Sequence, residues 1–225
     1  MKSEKVTKSR RAYEDACGMA HALDLLGERW SLIVLRELLL GPKRFSELRA
    51  DIPGISANVL TQRLEGLEET GLLVRRKLPP PSNAQVYELT EWGYEVEPIG
   101  QALGRWATRS PHHDVNAPIS AVSVLLSFRT MLNAERAKGL DAKVGFRFGS
   151  YSYLGYLTPG SFPIARGDVD AADVVFTGDP RALAGAVYGG VPLGALEEAG
   201  ALTISGDRAL AERFLTLFPL PPKVA

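Results

Sequence analysis

The chain has 225 residues, of which 45% are hydrophobic and 23% charged, so it can form one large domain or two smaller ones with ordinary cores. No apolar run approaches the roughly 18 residues of a membrane span, and the basic start MKSEKVTKSRR lacks the apolar region of a signal peptide, so we expect no membrane partner. The 26 Lys and Arg residues balance 26 Asp and Glu residues, so any nucleic-acid binding must depend on local charge.

Helix signals dominate the start of the chain. Apolar residues recur at helical spacing through residues 13–26, and the run LIVLRELLL within residues 31–40 predicts a buried helix that Gly41 and Pro42 end. Residues 45–50 form a short predicted helix, and the sequence IPGI at 52–55 predicts a turn.

The next segment has the pattern of another helix followed by a β-hairpin. Ser56 is a suitable N-cap for a helix that runs to about residue 69 and ends at Gly71. Strand-like runs at 72–78 and 85–89 flank the loop PPPSNA, and Thr90 is predicted to cap one last helix to about residue 109. We therefore predict a winged helix-turn-helix with an additional, dimerising helix at each end, in an N-terminal domain of residues 1–110.

The rest of the chain differs in its pattern. Residues 111–118 are predicted to be a linker to a second domain of residues 119–222. A helix over about 119–138 precedes strand-like runs at 143–148, 151–157, 162–166 and 173–177. Helices from 179 and about 193, a strand at 201–205 and a helix over 207–218 complete this domain. The predicted fold class is α+β, with a sheet covered by helices on one side.

The helix that starts after Ser56 is a candidate recognition helix. At about 100° per residue, its leucines share one face, while Asn58, Thr61 and Gln62 lie on the opposite face near the N-terminal end. Recognition helices present their N-terminal residues to base edges, and Asn and Gln can bond adenine at two positions. We therefore predict that these three residues read bases in double-stranded DNA.

Basic residues flank this helix in sequence, where they can bind phosphates and position the protein on DNA without reading its sequence. The residues predicted to contact the DNA backbone are Lys43, Arg44, Ser56, Arg63, Arg75, Arg76 and Lys77. The alternative is a winged helix used only for protein contacts, with solvated charges.

An apolar stripe follows the hairpin. Trp92, Val96, Ile99, Leu103 and Trp106 are spaced by 4, 3, 4 and 3 residues. Together with the first helix, the stripe can pair across a two-fold axis, or it can pack against its own domain. A homodimer would require a pseudo-palindromic operator with half-sites separated by whole helical turns.

Residues 13–109 resemble the HxlR-type transcriptional regulators. The positions that carry the resemblance are Cys17, Leu25, Leu26, Gly27, Trp30, Arg36, Glu37, Gly41, Arg44, Phe45, Leu48, Ile55, Ser56, Leu60, Arg63, Leu64, Leu67, Gly71, Leu72, Tyr87, Leu89, Thr90, Gly93 and Trp106. The resemblance implies a dimeric winged-helix protein that binds DNA. Cys17 matches a position that some members use as a thiol sensor. Its acidic neighbours Glu14 and Asp15 would oppose thiolate formation, and a buried, inert thiol is the alternative.

Residues 121–222 resemble the sterol-carrier-protein-2-like fold through GDPRAL, YGG, ISGD and RFLTLF. Domains of that fold enclose an apolar tunnel, so the resemblance implies a pocket for a small hydrophobic ligand. The residues predicted to line it are Phe146, Phe148, Tyr153, Phe162, Phe176, Tyr188 and Phe214. A solid core in a domain used for dimer contacts is the alternative. Arg147 and Arg166 could anchor a ligand carboxylate or be solvated strand-face charges.

The sequence lacks the G-x-S-x-G, G-x-G-x-x-G and Walker motifs, and one Cys with three His cannot supply an ordinary structural zinc site. We therefore expect no enzyme, no cofactor and no metal. A single cysteine forms no internal disulfide, as expected in the cytoplasm. The leading hypothesis is a ligand-responsive DNA-binding regulator. The alternatives are a lipid or acyl-chain carrier that uses the winged helix for assembly, and a redox regulator that senses through Cys17.

Overall fold

The computed structural model describes residues 12–115 and 117–224. We refer to residues 12–110 as the N-terminal unit and to residues 117–224 as the C-terminal unit. Within the described residues, no helix has the length and apolar character needed to cross a bilayer.

The N-terminal unit is a winged helix-turn-helix, as predicted. Its elements are α1 (Gly18–Leu26), α2 (Ser31–Leu38), α3 (Phe45–Asp51), α4 (Ala57–Glu69), β1 (Leu73–Lys77), β2 (Gln85–Leu89), α5 (Glu91–Tyr94) and α6 (Val96–Ala107). Strands β1 and β2 pair antiparallel and form the wing. The apolar faces of α2, α3 and α4 pack into one core with residues of β1 and β2.

Both predicted ends of α4 are confirmed. The Ser56 side chain accepts a hydrogen bond from the Val59 N–H at 3.3 Å, so it satisfies one of the free donors at the helix start. Gly71 has a φ of +74°, a left-handed conformation that glycine adopts without steric strain. The Leu72 N–H then bonds back to the Leu67 carbonyl at 3.0 Å, which closes the helix end.

Two predicted helices of the N-terminal unit have different bounds in the structure. Helix α1 starts at Gly18 rather than residue 13, because Cys17 is extended and its N–H donates to the Asp15 carboxylate at 2.9 Å. The single helix predicted after Thr90 is divided into α5 and α6. Pro98 lacks an N–H and cannot bond back to the carbonyl of Tyr94, so the helix restarts with proline in its first turn.

The C-terminal unit is α+β, as predicted. Its first helix ends at Met131 rather than near residue 138, because the backbone of Leu132 leaves the helical region with a ψ of 126°. The elements of this unit are α7 (Ala121–Met131), β3 (Ala142–Phe148), β4 (Tyr151–Leu157), β5 (Ile164–Arg166), β6 (Val174–Gly178), α8 (Pro180–Gly189), α9 (Leu193–Glu198), β7 (Leu202–Gly206) and α10 (Arg208–Leu215). The sheet order is β5-β4-β3-β6-β7, with β3 and β6 parallel and the other neighbours antiparallel. Strand β5 is shorter than predicted because Pro163 has no N–H for the ladder.

Aromatic rings fill the space between this sheet and its helices. Phe214 lies at their centre, with ring centroids 5.3 Å from Phe128, 5.3 Å from Phe176 and 4.8 Å from Phe218. Phe146 stacks on Phe176 at 5.9 Å and contacts the same cluster. These distances are normal for rings in direct contact, so the rings of this cluster pack against one another.

The two units contact each other along α6 and α7. Glu97 of α6 forms an ion pair with Arg129 of α7 at 3.0 Å, and Arg105 of α6 donates to the Thr130 carbonyl. Near the chain end, the Lys223 ammonium donates to the carbonyl of Thr108 at 2.9 Å. A cation at this place complements the dipole of α6, so the end of the C-terminal unit stabilises the end of that helix.

Candidate DNA-binding surface and thiol site

Helix α4 presents the polar face that the sequence predicted. Its leucines are buried in the N-terminal core, and Asn58, Thr61 and Gln62 are exposed on the outward side. Glu65 and Glu69 are also exposed, but one to two turns further along the helix. Phosphates are repelled by these two carboxylates, so the first two turns of α4 are the part suited to enter a groove.

Two exposed basic residues of the wing form salt bridges, and a third does not. On β1, Arg75 pairs with Glu68 at 2.8 Å, and Arg76 pairs with Glu88 on the neighbouring strand. Lys77, at the end of β1, is exposed and forms no salt bridge with a described residue. Contact of the two arginines with phosphate therefore requires exchange of partners, whereas Lys77 is available as it stands.

Arg44 lies between the helix-turn-helix and the wing. It is exposed at the start of α3, and its guanidinium donates to the Ser82 hydroxyl in the wing loop at 3.3 Å. Its backbone N–H donates to the Glu47 carboxylate at 2.6 Å, which fixes the first turn of α3. Arg44 therefore lies between the two elements predicted to contact DNA, and its role on phosphates stays a prediction.

The predicted role of Lys43 on DNA phosphates is wrong, because Lys43 is buried. It is 1% exposed, and its ammonium donates to the carboxylates of Glu37 at 2.8 Å and Asp51 at 2.6 Å. A buried ammonium held by two carboxylates cannot leave them without a large electrostatic penalty. Arg63 is also partly withdrawn, since it forms an ion pair with Glu28 at 2.9 Å.

Helix α6 carries an apolar face that is open to solvent. Trp106 is 72% exposed, Ile99 52% and Leu103 45%, and with Pro98 and Ala102 they line an apolar groove. The structure adds these last two residues to the predicted set, and their helical spacing places them on the same face.

The other two predicted members of this stripe differ in exposure. Trp92, on α5, is 47% exposed, whereas Val96 is only 6% exposed and packs in the N-terminal core. The predicted role of Val96 in dimerisation is therefore wrong, because the break before α6 turns this residue inward. Helix α1 adds exposed Met19 and Leu23 to the apolar surface of the N-terminal unit.

Cys17 lies at the N-terminus of α1. Its thiol is exposed, contrary to the alternative of a buried, inert cysteine. The backbone N–H groups of Met19 and Ala20 lower the pKa of the thiol below its ordinary value. The Asp15 carboxylate, expected to oppose the thiolate, accepts a hydrogen bond from the Cys17 backbone N–H.

The seven residues predicted to line a ligand pocket belong to the aromatic core or pack against it. The Tyr188 hydroxyl is hydrogen-bonded to Ser127 at 2.7 Å, and burial raises its pKa. The two predicted anchors for a ligand carboxylate have other partners. Arg147 pairs with Asp170 at 2.8 Å, and Arg166 donates to the Pro42 carbonyl at 2.8 Å.

Known proteins match the N-terminal unit. The model of the HxlR-like helix-turn-helix family matches residues 25–114. The HTH-type transcriptional regulator YodB of Bacillus subtilis (strain 168) is 38% identical over 89 residues, which are 40% of this chain and 80% of YodB. The chain belongs to the HxlR-like helix-turn-helix family. DNA-binding transcriptional regulation is therefore the function supported for this HxlR-like protein.

One further relative and a solved structure of YodB cover the same region. An uncharacterised HTH-type transcriptional regulator of Methanothermobacter thermautotrophicus is 36% identical over 104 residues, 46% of this chain and 79% of that protein. The crystal structure of quinone-bound YodB from B. subtilis is 36% identical and covers 40% of this chain and 93% of that chain, with a TM-score of 0.35.

The buried carboxylate of Glu37 in the N-terminal unit was not among the predicted functional residues. Glu37 is 0% exposed and accepts hydrogen bonds from Arg36 at 2.7 Å and from Ser120 at 2.7 Å, in addition to that from Lys43. The two charged residues Arg36 and Glu37 inside the apolar run LIVLRELLL were a signal that at least one of them has buried partners. The identity of those partners depends on segments far apart in the chain.

The pH dependence of thiol reactivity tests the environment of Cys17. Alkylation by iodoacetamide is expected to rise with pH with a midpoint below that of an unstructured cysteine, because the α1 N-terminus favours the thiolate. The same protein in urea, where α1 is lost, serves as the control and should have a higher midpoint. Equal midpoints in the two conditions would show that the helix end has no effect on the thiol.

Proposed function

We propose that this HxlR-like protein is a homodimer that binds a pseudo-palindromic operator, with Asn58, Thr61 and Gln62 reading bases in the major groove. The observation that carries the proposal is the exposed amide and hydroxyl face on the first turns of α4, opposite a fully buried apolar face. Arg44 and Lys77 would bind the flanking phosphates, and Arg75 and Arg76 would do so after exchange of their carboxylate partners. Such a regulator acts in the cytoplasm.

Selection of bound DNA from a random pool, at two salt concentrations, tests this proposal. We expect enrichment of a pseudo-palindrome, with an affinity that falls steeply with salt because phosphate contacts release counterions. Failure to enrich any sequence at either salt concentration would contradict sequence-specific binding.

Substitution of the base-reading face should remove specificity. Asn58→Ala combined with Gln62→Ala is expected to weaken operator binding by about 2–6 kcal/mol, because each bidentate base contact contributes about 1–3 kcal/mol. Glu69→Ala, at the exposed far end of α4, is the matched control and should leave the affinity equal or slightly higher. Anisotropy titration with the selected operator and with random DNA measures both effects. An unchanged preference for the operator in the double variant would contradict the assigned role.

The α6 face is the proposed dimer contact. Its exposed tryptophan, isoleucine and leucine form a groove that a second copy of the same helix can fill, and burial of such residues drives obligate association. Trp106→Glu is expected to weaken self-association at least tenfold, as measured by sedimentation. Glu198→Gln, on the exposed surface of α9, is the control. A Trp106→Glu variant as dimeric as the parent protein would place the dimer contact elsewhere.

A second candidate function, redox regulation through Cys17, is favoured by one observation. The thiol is exposed at a helix N-terminus that lowers its pKa, the environment expected of a reactive cysteine. Operator binding before and after treatment with diamide tests it. The Cys17→Ser variant should be insensitive to the oxidant, and a variant that responds like the parent would exclude Cys17 as the sensor.

The resemblance of residues 121–222 to the sterol-carrier-protein-2-like fold remains a prediction, as does modulation by a small apolar ligand. Ligand entry requires the rings around Phe214 to separate, since they are now in mutual contact. A long-chain fatty acid that raises the melting temperature of the protein and changes operator affinity would support a ligand-responsive regulator. A ligand effect without any DNA binding would favour the lipid-carrier alternative.

A further inference from the structure

Lys43 joins the wing to the helix-turn-helix. Its backbone forms a two-bond bridge with Tyr87 of β2, at 3.0 and 2.8 Å. Its side chain holds Asp51, the last residue of α3, and Glu37 of α2. Lys43 therefore fixes the relative positions of three elements, which are β2 of the wing, α2, and α3, the helix before the recognition helix.

The C-terminal unit contacts the surroundings of Lys43 from two sides. The Ser120 hydroxyl, at the start of α7, donates to Glu37 at 2.7 Å, on the carboxylate that also holds Lys43. Arg166, at the end of β5, donates to the carbonyl of Pro42 at 2.8 Å, one residue before Lys43. Both contacts link residues that are far apart in sequence, and both meet at the same short segment of the N-terminal unit.

These contacts can couple a movement of the C-terminal unit to a movement of the segment around Lys43. Glu37 and Lys43 are 0% and 1% exposed, and hydrogen bonds to buried charges are short, strong and directional. Arg166 is further restricted because its guanidinium lies 4.2 Å from the ring centroid of Tyr151. A displacement of α7 or β5 therefore moves the segment around Lys43, which joins the wing to the helix-turn-helix.

We propose that Ser120 and Arg166 are positioning residues, through which the C-terminal unit holds the wing and the recognition helix in the arrangement that binds DNA. This inference rests on the proposed DNA-binding function. It assigns to the C-terminal unit a role in operator affinity that does not require a bound ligand.

A matched pair of substitutions at Ser120 tests the contact with Glu37. Ser120 also caps α7 by accepting from the Ser123 N–H at 3.1 Å, and both Asn and Asp preserve such a cap. Ser120→Asn keeps a donor for Glu37, whereas Ser120→Asp places a second carboxylate against it. We expect Ser120→Asp to lower operator affinity at least tenfold at about 0.1 M salt, while Ser120→Asn stays within twofold of the parent.

The salt dependence separates positioning from general damage. If the wing no longer reaches its phosphates in Ser120→Asp, the slope of log affinity against log salt becomes less steep by about 0.9 per lost contact. Equal affinity and slope in the Asp and Asn variants would overturn the proposal, and so would an equal loss in both.

Position can also be measured without DNA. In a Cys17→Ser background, spin labels at Gln85→Cys on the wing and Thr203→Cys on the sheet, both exposed sites, report the distance between the two units. We expect a narrow distribution that broadens with Ser120→Asp and not with Ser120→Asn. Identical distributions would overturn the positioning role. A parent protein that binds no operator but shows this broadening would contradict the proposed function and leave the positioning contact supported.

Arg166 provides a second, independent test should Ser120→Asp fail to fold. Arg166→Leu removes the donor to Pro42, while Arg166→Lys keeps a cation and a donor there. Loss of affinity and a less steep salt slope in the Leu variant, with recovery in the Lys variant, would support the role. A Leu variant that binds the operator like the parent would overturn it for this residue.

Discussion

Lys43→Met is expected to destabilise the protein by about 3–5 kcal/mol, since it leaves the carboxylates of Glu37 and Asp51 without their shared ammonium. Glu37 is fully buried, so water cannot replace the lost hydrogen bond at that oxygen. Urea denaturation of the parent and variant proteins measures the change in the free energy of unfolding.

Lys77→Met is the matched control for this prediction. Lys77 is exposed at the end of β1 and forms no salt bridge with a described residue, so its loss should change stability by less than about 0.5 kcal/mol. It should instead reduce the salt slope of DNA binding by about 1. We assign a role in stability to Lys43 and a role in DNA binding to Lys77. A Lys43→Met variant that is as stable as the parent but binds DNA more weakly would contradict this assignment.

Phe214→Ala is expected to destabilise the C-terminal unit by about 3–5 kcal/mol, because it removes the ring at the centre of the aromatic core and leaves a cavity. Tyr156→Ala is the control, since that side chain is 51% exposed, and its effect should be under about 1 kcal/mol. Urea denaturation again measures both.

The Phe214→Ala variant also bears on the predicted ligand pocket. A solid core predicts that the variant, and not the parent, gains affinity for a small apolar probe, because the new cavity is lined by apolar rings. A loss of less than about 1 kcal/mol would mean that the rings already surround free space. That result would favour a tunnel of the kind that the sterol-carrier-like resemblance implies.

Much of the N-terminal unit was predictable because its signals are local. The periodicity of leucines defines the buried face of α4, and its polar face follows by geometry. Ser56 and Gly71 act within one turn of the helix ends that they define, so they are readable from neighbouring residues alone. The signal for dividing the last helix before Val96 was equally local, since it comes from Pro98, and the apolar stripe that continues across the break concealed it.

The roles of individual charges were less predictable. Lys43 and Lys77 both lie next to an arginine, yet one is buried and the other exposed. The difference arises because Glu37 and Asp51 converge on Lys43 when α2 and α3 pack. A sequence pattern reports that a residue is basic, but not which carboxylates the fold brings to it.

For this protein, the sequence by itself determined the winged helix-turn-helix, the polar face of its recognition helix and the α+β class of the C-terminal unit, because caps and periodicity are short-range properties. Only the tertiary structure decided that Cys17 is exposed, that Val96 faces inward, and that Ser120 and Arg166 meet the segment around Lys43. Contacts between residues about 80 or more positions apart depend on how complete elements pack, and no local pattern encodes that packing.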